Sequence, residues 1–171
     1  MYKLHLDREL AKDVFINSSK ETLDWVVNAI ANIVVADGII EKHEFVALQV
    51  AIGLLQDKEE IHALMDRVKK KEIIEIKSIR IDDELAIKVF FYLAAISVID
   101  GELKKSEAEM LKKCGHCMGL DDDLIKAVIQ WTLKQMGINR KLKEDLKNSN
   151  SFRSRIIDSI LSISNRNYYY H

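Results

Sequence analysis

The chain contains no proline in 171 residues, where average usage would supply roughly eight. Folds that depend on a proline turn or a cis-prolyl bond are thereby excluded. Glycine is scarce too, with six in all, which leaves few places for the positive-φ turns that loop-rich and all-β folds need. The two cysteines, Cys114 and Cys117, are three positions apart and cannot form the disulfide framework of a small secreted domain. No run of about 18 apolar residues is present, so no segment reads as a membrane-spanning helix. Neither sign of charge dominates: 26 Lys and Arg face 27 Asp and Glu, a net charge of -1. That provides no overall field for nucleic acid or an anionic membrane. Also missing are a glycine-rich phosphate loop, a nucleophile elbow and a His-Glu-x-x-His zinc signature. No nucleophile is paired with a base, so the chain reads as non-enzymatic. Met1 to Asp7 holds no apolar signal core, and the expected location is the cytoplasm.

What is present is helical periodicity. Hydrophobic residues make up 48% of the chain and recur at i, i+3 and i+4. Ser18 and Glu21 have capping-box spacing ahead of a helix through Leu23, Val26, Val27, Ile30, Ile33 and Val34, stopped by Gly38. A second helix is predicted from Glu41 to Leu55, and a third after Asp57. Residues 72–81 alternate partly but have no partner strand, so a short helix or an extended linker is expected. Asp82 or Asp83 caps a strong helix through Val89 and Leu93 to Ile99, ended by Gly101. Further helices run from Ser106 to Met118 and onward from Asp121. The expected fold is all-α, a compact bundle of about seven to eight helices.

Two segments match at an offset of 63 residues, Ala31 to Glu44 and Ala94 to Glu107. Each has an apolar helix end, then Asp-Gly, a hydrophobe two residues past the Gly, and Glu seven past the Asp. The pattern is a duplicated helix–turn–helix, whose copies pack about a pseudo-twofold axis because one alone cannot bury its apolar face. Gly38 and Gly101 suit the left-handed end of a helix. Glu44 and Glu107 stand three residues after Glu41 and Lys104, where the second half of a capping box would lie. Glu41 and Lys104 are poor N-caps, so the reciprocal half is expected to be missing. One reading makes these acidic residues helix caps only. The other brings Asp37, Glu44, Asp100 and Glu107 together as oxygen ligands for a hard divalent cation, Ca²⁺, Mg²⁺ or Mn²⁺. The spacing is not that of an EF-hand, because Gly follows the Asp directly.

This duplicated Asp-Gly motif resembles the tellurite-resistance TerB-like family, which includes the N-terminal region of DjlA-type co-chaperones. The resemblance spans Leu23 to Gln135 and includes Asp82-Asp83-Glu84-Leu85 and Met118-Gly119-Leu120. It implies a helical bundle, metal chelation by Asp37, Glu44, Asp100 and Glu107, a place in stress-response and phage-defence systems, and no catalysis. The family often has Ser or Thr where this chain has Glu41 and Lys104. A J-domain is excluded, since its His-Pro-Asp motif needs proline.

Cys114-Gly115-His116-Cys117 has the wording of a disulfide-isomerase motif but lies mid-helix, without a βαβ context or cis-proline, so core packing is expected of the cysteines. Zinc at Cys114, Cys117 and His116 would need a further ligand from His5, His43, His62 or His171, none of which lies in a recognisable second pair. His43, beside Glu44, reads as a solvent-facing helix residue. From Ile138 onward seven Lys and Arg face three Asp and Glu, +4, which leaves -5 on the body. That shift divides the chain into a helical domain at 1–137 and a basic extension at 138–171. Phe152, Ile156, Ile157, Ile160 and Leu161 form an apolar stripe in the extension. Docking on the domain or on a second copy, a homodimer through the C-terminal helix, is favoured over binding single-stranded nucleic acid. A protein partner is the expected ligand.

Overall fold

The computed structural model describes residues 16, 18–53, 55, 57–98 and 102–147. Six helices are found among them: α1 (Lys20–Val35), α2 (Lys42–Ile52), α3 (Lys58–Lys69), α4 (Asp83–Ser97), α5 (Lys105–Cys117) and α6 (Asp122–Lys147). None of the described residues forms a strand, and no helix among them is long and apolar enough to cross a membrane.

Local chemistry sets most of the boundaries. Asp57, Asp82 and Asp121 each accept an N–H of the following first turn, from Glu59, Leu85 and Leu124 at 2.8, 2.9 and 2.8 Å. At α1 the cap falls one residue later than the sequence spacing predicts: Ser19, not Ser18, accepts from Thr22 N. Gly38 (φ 75°) and Gly119 (φ 82°) take the left-handed conformation after α1 and α5. α2 stops at Ile52, three residues short of the expected Leu55. The boundary placed at residue 138 falls inside α6, which runs unbroken through Gly137 to Lys147. Gly101 and the expected helix after residue 151 lie outside the described residues.

Helices α1 and α4 form the centre. Residues 29–35 of α1 are buried without interruption, as are residues 92–97 of α4, the signature of helices surrounded on all sides. α1 packs against α2, α3, α4 and α5, and α4 against α5 and α6 as well. Phe90, Ile30, Ile33, Leu48, Leu93, Leu111 and Ile125 fill the space between them. Two buried hydroxyls are satisfied within their own helices: Ser97 and Thr132 donate to Leu93 O and Val128 O. Gly115 marks the closest approach of α5 to α6, since a Cβ there would stand 2.6 Å from Ile125 Cδ1.

Residues 72–81 form the extended linker, strapped across α1 and the end of α5. Ile76 and Ile79 both turn inward, with Lys77 and Ser78 exposed between them, so the alternation shifts by one residue within the strap. Asn32, fully buried, donates from Nδ2 to Ile74 O (2.7 Å) and accepts at Oδ1 from Ile74 N (3.1 Å). Trp25 Nε1 donates to Lys77 O, and Cys117 O accepts from Ile79 N. One asparagine therefore replaces a strand partner for the strap. Beside it, Arg67 Nη1 donates to Asn28 Oδ1 at 2.7 Å, while its Nε and Nη2 are buried without a partner among the described residues. Burial works against this guanidinium, and the charge of Glu72 partly offsets the effect.

Asn32→Ala should destabilise the chain by about 2–5 kcal/mol, since two backbone groups of Ile74 lose their buried partner. Urea unfolding followed by circular dichroism measures this. Gly115→Ala should cost about 1–3 kcal/mol through overpacking against Ile125.

Candidate functional site at the paired acidic turns

The site starts from Asp-Gly at the end of α1. Gly38 reverses the chain, and Asp37 Oδ1 accepts from Ile39 N at 2.8 Å, closing the turn. Three residues on, α2 starts with Glu41 as N-cap, and Glu44 reaches back so that its Oε2 accepts from Glu41 N at 3.0 Å. The second turn repeats the bond: Glu107 Oε2 accepts from Lys104 N at 2.9 Å at the start of α5. Both glutamates thus supply their half of a capping box. A lysine side chain carries no acceptor, so Lys104 cannot return the bond.

These two glutamates are then buried against each other. Glu44 is 1% exposed and Glu107 4%, and the Glu107 carboxyl lies near enough to Glu44 to disfavour its charge. Burial pushes the Glu44 carboxyl up. The Glu41 N–H opposes this, and the nearby Glu107 carboxyl and the charge of Asp37 add to the rise, which brings it to about 7. The pair therefore favours holding a proton.

Asp37 lies in the opposite regime. Burial works against its charge, but the Lys104 ammonium and the Ile39 N–H outweigh it and hold the carboxyl below the ordinary range. Lys104 Nζ donates to Asp37 Oδ2 and to Glu41 Oε1, at 2.6 Å each, and these bonds raise the lysine above its ordinary value. The second turn thus places a cation on the carboxylates of the first.

Of the four carboxylates expected from sequence, Asp37, Glu44 and Glu107 are brought into one cluster, joined by Glu41 and Lys104. Asp100 lies outside the described residues. Among those described, no group of three or more His, Cys, Asp and Glu is arranged to hold a metal ion. Lys104 is the residue that sequence reasoning missed as a functional group. Its signal was its position opposite Glu41 in the repeat, where opposite charges replace two caps.

The Cys-Gly-His-Cys segment is dispersed. Cys114 is buried in the core, with its thiol pushed up to about 12, chiefly by burial. Cys117 is half-buried and donates to Ile76 O at 3.3 Å, holding the strap. His116 Nε2 lies 2.8 Å from Asp122 Oδ1. The three side chains therefore face different partners, although Cys117 and His116 share an open cavity of about 390 Å³ with Ser78, Glu109, Lys112 and Lys113. His43 is on α2, and its side chain lies outside the described part.

No protein-family model, curated protein or solved structure matches the chain.

The Glu44 shift makes stability depend on pH in a defined sense. Its folded value, about 7, lies above the ordinary 4.5, so the folded state binds the proton more tightly. The stabilisation is complete below about pH 4.5 and is lost as pH rises through about 7. Asp37 acts in the opposite sense, but only in the acid window below its ordinary 3.8. Thermal unfolding between pH 5 and 8 should show a falling midpoint. Glu44→Gln, which keeps the acceptor for Glu41 N and a donor for Glu107, should flatten that slope.

Proposed function

We propose that this chain is a non-enzymatic interaction module of the tellurite-resistance TerB-like type, whose motif carboxylates hold two helix–turn–helix units together. The observation that carries this reading is the pairing of Glu44 with Glu107. Equivalent residues of the two copies are both buried, each bonded to the N-cap N–H of its own helix, and near enough to act on each other's charge. Groups engaged in this way are joints of the fold. The matching bonds also support the duplicated architecture with pseudo-twofold symmetry, and the seven-to-eight helix count belongs to the same proposal.

A protein is the proposed ligand, and the exposed aromatic edge of α6 supports it. Trp131 (49% exposed) and Ile138 (62%) stand seven residues apart on one face of that helix. Trp131 meets Phe91 of α4 edge-on, with ring centroids 5.3 Å apart. Large half-exposed aromatics of this kind anchor protein interfaces. Cytoplasmic stress response is the setting that the family resemblance supplies.

A second reading keeps Asp37, Glu44, Asp100 and Glu107 as ligands for Ca²⁺, Mg²⁺ or Mn²⁺. Its support is the cost of burying Glu44 as an anion, which a cation would relieve. Calorimetry separates the two readings. Chelator-treated protein titrated with Ca²⁺, Mg²⁺, Mn²⁺ and Zn²⁺ should give no binding heat. Saturable heat that disappears in Asp37→Ala/Asp100→Ala would establish the cation reading instead.

A further inference from the structure

Lys104 occupies in the second repeat the position that Glu41 occupies in the first, 63 residues earlier. The structure joins these two counterparts directly, Nζ to Oε1 at 2.6 Å, and adds Asp37 Oδ2 at the same distance. Both contacts are short, charge-assisted bonds. They span 63 and 67 residues of chain, so they connect one helix–turn–helix to the other. The lysine side chain is 35% exposed, against 12% for Asp37.

A hard divalent cation needs several oxygens within about 2.0–2.6 Å of one centre. Each carboxylate here already has a donor. Asp37 has Lys104 and Ile39 N, Glu41 has Lys104, Glu44 has Glu41 N, and Glu107 has Lys104 N. An ammonium so close to two candidate ligands repels a second cation from the same oxygens. The described residues therefore do not fit a resident divalent ion while Lys104 is in place.

We propose that Lys104 is the built-in cation of the paired turns. Its ammonium, carried by the second turn onto the carboxylates of the first, does the cross-linking that a divalent ion would do and keeps such an ion out. This rests on the metal-free reading above and gives it a cause. Without Lys104, Asp37 and Glu41 would lose their counter-charge beside the buried glutamates, leaving an oxygen cluster open to a hard cation.

The test compares the full chain with Lys104→Ser, the residue type the family pattern often has here, with Lys104→Gln, and with Lys104→Arg. Each is treated with a chelator, then titrated with MgCl₂, CaCl₂ or MnCl₂ while thermal unfolding and binding heat are followed. The unsubstituted chain and Lys104→Arg should melt at a midpoint independent of all three salts. Lys104→Ser and Lys104→Gln should melt lower without salt and rise by about 5–10 °C at a cation concentration roughly 100-fold above Kd. If either variant is unfolded without salt, recovery of its helical signal on adding a cation supports the proposal. No midpoint rise, binding heat or refolding in either variant, with the unsubstituted chain also silent, overturns the proposal and leaves the metal-free reading standing. Saturable binding by the unsubstituted chain overturns both.

Discussion

A carboxyl group removed from water must be protonated, hydrogen-bonded or paired with a cation, and this chain removes two at one place. Glu44 and Glu107 can be buried only if their helices start with a free backbone N–H facing them and their side chains meet. The first condition fixes where α2 and α5 begin. The second fixes how those helices lie relative to each other. At the first turn Asp37-Gly38 provides the reversal that puts Glu44 in reach, and the apolar α1 and α4 form the centre against which the other helices pack. A slip of one residue in either turn would leave a buried carboxyl and an N-cap amide without partners, so the pair acts as a register lock on the bundle.

The cluster separates its carboxylates by environment. Glu44, in the interior beside another carboxyl, favours the protonated form. Asp37, closer to solvent and facing an ammonium, favours the anion. Two acidic groups in one cluster therefore carry different charge at neutral pH. Lys104 and the backbone amides of Ile39, Glu41 and Lys104 give every described carboxylate there a donor.

The sequence made much of this legible where the cause is local. Asp57, Asp82 and Asp121 at helix starts, and Gly38 as a stop, follow from residues within one turn of the event. The repeat itself led to Glu44 and Glu107, because a spacing of seven between Asp and Glu recurs with its flanking hydrophobes. What could not be read has a non-local cause. The strap over residues 72–81 holds an extended form through Asn32, which is 42 residues from Ile74, and a polar residue within an apolar helix gives no sign of its partner. Lys104 looked like a failed cap because its role lies 67 residues away at Asp37. The change of charge at residue 138 falls within α6, because charge does not interrupt a helix and Gly137 weakens one by only about 1 kcal/mol. Ser18 and Ser19 are both competent caps, and spacing to Glu21 alone favoured the wrong one.

Burial beside Glu107 should keep Glu44 from ionising as an ordinary carboxyl does. The most direct measurement is a ¹³C NMR titration of the side-chain carboxyl of Glu44 in metal-free protein. A midpoint near 7, well above the ordinary 4.5, is the result this account predicts. A Glu44 carboxyl that titrates at its ordinary value, as an independent solvated group does, would contradict it.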